Sequence, residues 1–314
     1  MPEGDTVLRT SQGLHRALAG RMLTRAELRW GELGAMGIAG REVIDVSAYG
    51  KHLFIRLAAA GPVPRMPTVT PEPLTLHTHL RMDGSWRIHA SGTRPWPSAQ
   101  DEQIRAVLEN QEWTAVGILL GMLDLVPTDT EHQLIEHLGP DIMAGEWESV
   151  GRATAVQRWA NRQDDPVGEV MLDQTVVAGI GTFYMAESLF VTRISPWTQA
   201  DEVDVVPLLE TARKLLLRGA QQPTPNTTGD PRRKQNAFVH ARSGRPCRRC
   251  GATIRVAGVG QPPIERPAFY CPVCQPGPTP TDTGRPVAPL GSAPHRLGSR
   301  RNVGLGPARR WPGQ

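Results

Sequence analysis

Lysine is nearly missing from this chain. Of 314 residues, only Lys51, Lys214 and Lys234 carry a side-chain amine, against 32 arginines. GC-rich coding explains such a skew, but it leaves Lys51 as the sole side-chain amine in the first 213 residues. Cysteine is scarce too, with four residues all lying between 247 and 274. No apolar run reaches the roughly 18 residues that span a bilayer, which excludes an integral helical membrane protein. No positively charged start followed by an apolar stretch is present, so no signal peptide is expected and the predicted location is cytoplasmic. A hydrophobic content of 39% is enough for a core, and 314 residues suggest about two domains.

Charge is concentrated locally. The pI is near 9.1, but residues 275–314 hold six arginines (285, 296, 300, 301, 309, 310) against Asp282 alone. Without that tail the body is nearly neutral, so any surface for an anionic partner must be a patch. One candidate is Arg232, Arg233, Lys234, Arg242, Arg245, Arg248 and Arg249. A solvated face is the plainer reading of such a run.

The pattern predicts an α+β, multidomain chain. Val7, Leu8, Leu14, Ala17 and Leu18 form one stripe of an amphipathic helix over Thr6–Leu18, with Asp5 as N-cap and Gly20 as stop. Strand-like runs follow at Met22–Trp30, Glu42–Ala48, His52–Leu57, Leu74–His79, Ser85–His89, Ile104–Leu108 and Thr114–Leu120, giving an N-terminal β-sandwich over 1–125. Residues 58–73 and 91–101 read as surface loops. A helical domain is predicted over 126–235, with helices at Glu131–His137, Val150–Asn161, Gly168–Val177, Thr182–Val191 and Glu202–Gly219. Residues 220–231 read as a polar linker, 236–275 as a small separate module, and 276–314 as a disordered basic tail.

Cys247, Cys250, Cys271 and Cys274 give C-x2-C-x20-C-x2-C, two knuckles whose thiolates suit one tetrahedral zinc ion in a closed, structural site. Two disulfides are the alternative, disfavoured because nothing suggests export. A module this small would draw much of its folding energy from the metal. Thr253–Val256 and Ala268–Tyr270 read as its hairpin, with Arg266 just before the second strand near the tip.

The opening MPEG adds a chemical possibility. Aminopeptidases usually remove Met1 before a proline, which would free a secondary amine at Pro2 beside Glu3. MPEG, GKHLF at 50–54, HLGPD at 137–141, LDQTVVAGIG at 172–181 and the terminal cysteine pattern together resemble the formamidopyrimidine-DNA glycosylase/endonuclease VIII family. These motifs run in the family's order over about residues 2–275. The resemblance implies a β-sandwich with a leading helix, a helix-two-turn-helix domain and a C-terminal zinc finger, with damaged DNA held between the lobes by a monomer. It also implies roles: Pro2 as nucleophile, Glu3 as the acid beside it, Lys51 as a DNA contact that assists catalysis, and Arg266 as the finger's grip on phosphate. The four cysteines match the zinc ligands. Met82, after Arg81 in the turn following HTHL, matches the residue that fills the space left by an everted nucleotide, although ordinary core is its plainer reading. His77 and His79 share a strand face, but a second metal site is not expected there.

The implied chemistry is physically reasonable. An α-amine has a reference pKa of about 7.7–8.0 against about 10.4 for lysine, so it is substantially neutral near pH 7. Attack at C1′ by a secondary amine yields an iminium ion, an electron sink for β,δ-elimination. Glu3 would serve as general acid as the sugar ring opens. The expected activity is therefore that of a bifunctional glycosylase and AP lyase.

Three departures stand out. Thr182 replaces the family's phosphate-contacting Asn, Thr6 replaces a second glutamate, and Gly168-Glu169 stand where a lysine is common. The 8-oxoguanine branch has an Arg–Phe wedge in a stretch read here as Asn110–Gly117, which has neither residue. With the PEG opening, that favours the endonuclease VIII branch and oxidised pyrimidines. The basic cluster, including Arg232 and Arg242, should then meet the DNA backbone, and the tail should add non-specific affinity. A non-catalytic damage-binding or architectural protein on the same fold is the main alternative; an RNA-binding protein is another.

Overall fold

The computed structural model describes residues 2–60, 71–230, 232 and 235–278. Arg233, Lys234, the middle of the 58–73 loop and the tail from 279 onward lie outside the described residues.

Helix α1 (Gly4–Leu18) leads into two antiparallel sheets. One sheet has five strands, β1 (Arg21–Met22), β3 (Glu42–Tyr49), β4 (His52–Leu57), β5 (Leu74–His79) and β9 (Met122–Pro127), side by side in that order. The other has four, ordered β2 (Arg25–Leu28), β7 (Ile104–Glu109), β8 (Trp113–Ile118) and β6 (Ser85–Ala90). Strand alternation sends Leu53, Ile55 and Leu57 of β4, and Leu74 and Leu76 of β5, to one core with Trp86, Leu108 and Ala115 of the facing sheet. Val7, Leu14, Ala17 and Leu18 of α1 join that core.

The single strand expected over Met22–Trp30 is two. Leu23 and Thr24 donate to Arg41 and Glu109 carbonyls of different sheets, so the chain crosses between layers there. Strand β9, absent from the sequence reading, pairs with β5 from Leu74↔Pro127 to His79↔Met122. Only Leu123 of its residues is buried, and Pro127 closes it, so it gives little local signal.

The second lobe holds α2 (Gly151–Trp159), α3 (Val167–Leu172), α4 (Thr182–Thr192) and α5 (Val205–Ala220). The expected helix at Glu131–His137 is a 3-10 turn over Thr128–Leu134. The expected Gly168–Val177 helix stops at Leu172 because the Asp173 carboxylate takes the Thr175 N–H and hydroxyl, competing with helical pairing. Helix α4 is buried on nearly every side, and α5 packs against it.

The cysteine module contributes a hairpin, β10 (Arg255–Val259) and β11 (Arg266–Tyr270), with Arg266 paired to Val259 as the first residue of its strand rather than preceding it. Val256, Val259, Ala268 and Phe269 share one core with Leu189 and Phe190 of α4, so its apolar face is covered by the helical lobe. Residues expected as a polar linker fold back too: Asn226 and Thr227 are buried, and the Thr227 hydroxyl donates to the Glu187 carboxylate.

Candidate active site and nucleic-acid interface

The sequence motifs converge where the lobes meet. Tyr49 and His52 close a hairpin with Gly50-Lys51 at its tip. Gly50 has φ +57°, and a Cβ there would stand 2.8 Å from Ala178 Cβ, so only glycine suits both the turn and the contact. The Tyr49 hydroxyl donates to Gly139 O at 2.8 Å, and the buried Asp141 carboxylate accepts from the Gly50 and Met143 N–H groups. The Gln174 amide nitrogen donates to Leu172 O and Ile180 O, and its oxygen accepts from Gly179 N–H, holding the two turns between α3 and α4. GKHLF, HLGPD and LDQTVVAGIG are thus parts of one joint.

Glu3 sits at its centre. Sequence reasoning placed the N-cap of α1 at Asp5, but Glu3 occupies that position with extended backbone and leaves its side chain free of α1. That carboxylate instead accepts from Gly181, Phe183 and Tyr184 N–H at 2.9, 2.7 and 3.2 Å, capping α4 from the other lobe. A side chain at Gly181 would collide with it. Asp5 lies inside α1, fully buried, and accepts from the Tyr184 hydroxyl at 2.8 Å. Both carboxyls are pushed above the usual range by burial, which outweighs the donors around them.

Lys51 lies beside Glu3, and its ammonium donates to Ile180 O at 2.5 Å. Burial lowers its pKa to about 8, with Arg266 also lowering it and Glu3 opposing. A cleft of about 390 Å³ opens here, lined by Glu3, Met82, Thr182, Asn236, His240 and Arg266 among others. That volume admits a nucleobase with its sugar. Pro2 is half-buried next to Glu3. Arg81 and Met82 are exposed, Met82 at 53%, so Met82 is not core.

Other expected residues fall elsewhere. Arg232 is exposed and pairs with Asp230 at 2.6 Å. Arg242 donates to Phe238 O and Pro246 O at 2.6 and 2.9 Å. Neither lines the cleft. A Cβ at Gly168 would stand 3.0 Å from Pro196 O, a tight contact that a larger residue could make only if that carbonyl gave way slightly. His77 and His79 do share surroundings, but with His52: His52 Nδ1 meets His77 Nε2 at 2.8 Å, and His77 Nδ1 meets Asp124 at 2.9 Å. Among the described residues, the group of three or more metal-binding side chains is the cysteine cluster alone.

Sequence reasoning missed Glu187, which looks like a helix-surface residue. It is fully buried and accepts from Phe238, Val239 and His240 N–H at 2.8, 2.8 and 2.9 Å, fixing the segment that carries Asn236 and His240 to the cleft. Asn110–Gly117 forms a turn and most of β8. Asn110 Nδ2 donates to Ala17 O and Glu112 pairs with Arg21, against the end of α1. The six residues of β8, about 20 Å of strand, separate that turn from Met82. The turn beside Met82 is Leu119–Gly121, whose Gly121 N–H donates to His79 O at 3.0 Å.

All four cysteine sulfurs lie within 4.8 Å of one another and are unbonded. Cys247 and Cys274 are 3.9 Å apart and Cys250 and Cys271 3.4 Å, far from the ~2.05 Å of a disulfide. The cluster can hold one metal ion.

Comparison with known proteins agrees with this geometry. Residues 1–117 match the formamidopyrimidine-DNA glycosylase N-terminal domain, and residues 138–220 its H2TH domain. A "Probable endonuclease 8 2" from Streptomyces coelicolor is 41% identical over 292 residues, covering 91% of this chain and 98% of that protein. The "DNA-(apurinic or apyrimidinic site) lyase Nei2" of Mycolicibacterium smegmatis is 35% identical over 276 residues, covering 88% and 99%. Among solved structures, Lactococcus lactis formamidopyrimidine-DNA glycosylase bound to abasic-site DNA has the same fold, with a TM-score of 0.67, 19% identity, and coverage of 88% and 100%. The chain therefore belongs to the formamidopyrimidine-DNA glycosylase/endonuclease 8 family.

Proposed function

We infer that this protein is a DNA glycosylase and AP lyase that removes oxidised pyrimidines, with the amine of Pro2, freed by loss of Met1, as nucleophile. The observation that carries this reading is Glu3: a buried carboxyl, raised in pKa, held by three backbone N–H groups at the wall of a nucleoside-sized cleft, directly after Pro2.

The target nucleotide leaves the stack and enters the cleft. The Pro2 nitrogen bonds to C1′ as the bond from C1′ to the base breaks, and the departing base takes the proton that the amine gives up. Glu3 protonates O4′, the ring opens, and C1′ is left as an iminium carbon. Loss of a C2′ proton turns the iminium into an enamine, whose electron pair then flows back to break the bond from C3′ to the 3′ phosphate and restores a conjugated iminium. A second elimination releases the 5′ phosphate, and water then hydrolyses the link to Pro2. Lys51, with its pKa near 8, stands where it can hold a backbone phosphate and pass protons. Arg266 supplies a second cation at the same cleft. Thr182, at the start of α4, offers a hydroxyl where the family has an amide.

We assign zinc to the cysteine cluster. Thiolates about 2.3 Å from a tetrahedral ion are about 3.8 Å apart, close to the 3.9 Å between Cys247 and Cys274 and a little wider than the 3.4 Å between Cys250 and Cys271. The ion is structural, because all four positions are filled by sulfur. The protein acts as a monomer in the cytoplasm, with damaged DNA as its partner. Among the described residues no helix is long and apolar enough to cross a membrane.

Cleavage of single-lesion duplexes tests the reading. Thymine glycol and 5-hydroxyuracil should be cut faster than 8-oxoguanine, leaving phosphate at both ends of the gap. Tight binding to abasic DNA without cleavage would instead support the non-catalytic alternative.

A further inference from the structure

Three titratable side chains form one hydrogen-bonded chain on the face of the five-stranded sheet turned away from the core. Strand pairing sets His52 of β4 opposite His79 of β5, and His77 of β5 opposite Asp124 of β9. His77 Nδ1 lies 2.9 Å from the Asp124 carboxylate, and His77 Nε2 lies 2.8 Å from His52 Nδ1. A carboxylate only accepts, so neutral His77 carries its proton on Nδ1 and accepts at Nε2. His52 must then donate from Nδ1, which leaves its Nε2 a bare acceptor with no partner among the described residues. His79 has the opposite form. Its Nδ1 accepts from Arg81 N–H at 2.9 Å, so its proton sits on Nε2. The rings of His52 and His79 meet edge to face with centroids 5.0 Å apart. Lys51 precedes one and the turn carrying Met82 follows the other, so the pair borders the cleft. A phosphate passing there would meet a donor on His79 and a lone pair on His52.

One proton repairs the mismatch. Arriving from solvent at His52 Nε2, it lets the His52 Nδ1 proton move to His77 Nε2. His77 becomes an imidazolium against Asp124, and the outer nitrogen of His52 changes from acceptor to donor. We propose that His52, backed by His77 and Asp124, is a proton-coupled site for a phosphodiester of the bound DNA, taking up a proton as the phosphate arrives. This inference rests on the reading of the cleft as a DNA site. The groups facing the pair are Tyr49, Lys51, His79, Arg81 and His137, with Arg56, Asp45 and Glu131 beyond the ring of Phe54. In the free protein burial, and then the rings and ammonium around it, hold His52 at a pKa of about 3; burial also lowers His77, against the pull of Asp124. An adjoining opposite charge raises such a pKa by as much as about 3, which brings the site to about 6 in the complex. The value is raised on binding, so the added affinity is present below about pH 6 and is lost as pH rises through it.

The test is binding to a duplex that carries an uncleavable tetrahydrofuran abasic analogue. Titration calorimetry at pH 5.5, in two buffers of different ionisation enthalpy, counts the protons taken up. His77→Gln keeps a donor for Asp124 and an acceptor for His52 but holds no proton; Asp124→Asn keeps the acceptor and removes the charge. Each variant should take up about half a proton less than the wild type. Between pH 7.5 and 5.5 the wild type should gain about threefold to fivefold more affinity than either variant. The same proton uptake in all three proteins would overturn the proposal. So would variants weakened equally at both pH values, because a merely structural role has no pH dependence. Failure of the wild type to bind the duplex at either pH would sink the DNA reading itself, a different result from a lost proton.

Discussion

Two carboxylates at helix α4, one capping it and one carried by it, do opposite jobs. At its N-terminus Glu3, from the other lobe, accepts three backbone N–H groups and faces the cleft with Lys51 beside it. One and a half turns on, Glu187 accepts three backbone N–H groups and the Thr227 hydroxyl, fully enclosed. The acceptor chemistry is the same and access differs. Glu3 borders a cleft, whereas Glu187 is enclosed and holds chain. A buried carboxylate with matched donors is thus not evidence of catalysis until it borders a cavity that something can enter.

The comparison breaks most sharply under mutation. Glu3→Gln keeps the size of the side chain and loses the acid. Base excision should fall by about 10²–10⁴-fold, while melting temperature shifts only as far as a weakened cap, about 0.5–2 kcal/mol, allows. Glu187→Ala should do the reverse. It strands three N–H groups, and should cost about 3–5 kcal/mol of stability, with activity per folded molecule less affected. Thermal melting and single-turnover excision on both variants check this. Equal effects on stability and on chemistry in the two variants would erase the distinction.

A smaller effect sharpens the Glu3 side. Burial and Arg266 hold Lys51 near pKa 8, so it carries full charge below that pH and loses it as pH rises through it. Affinity for abasic-site duplex should fall by about threefold to tenfold between pH 7 and 9, in excess of any change in Lys51→Arg, which stays charged. Fluorescence anisotropy at fixed ionic strength measures this. Parallel profiles for the two proteins would remove Lys51 as the group responsible.

What could be read in the sequence follows from how each feature is encoded. β4 and β5 fall where the alternation of Leu53, Ile55 and Leu57, and of Leu74 and Leu76, places them, because these residues share the face that enters the core between the sheets and leave a period-2 trace. The cysteine spacing and the residues of the joint, Glu3 and Lys51 above all, were legible as motifs. Asp5 was not: a cap and a buried partner of Tyr184 look alike until the second lobe is in place. Glu187 was hidden for the same reason, since its donors lie about fifty residues downstream.

In the proposed reaction the Pro2 amine, beside Glu3, is the nucleophile. Borohydride reduction of the mature protein with abasic-site duplex tests it most directly. The account predicts a covalent protein–DNA complex whose cross-link maps to Pro2, lost in Pro2→Gly and in protein retaining an N-terminal extension. No complex with Pro2 exposed, or a cross-link mapped to Lys51 instead, would contradict it.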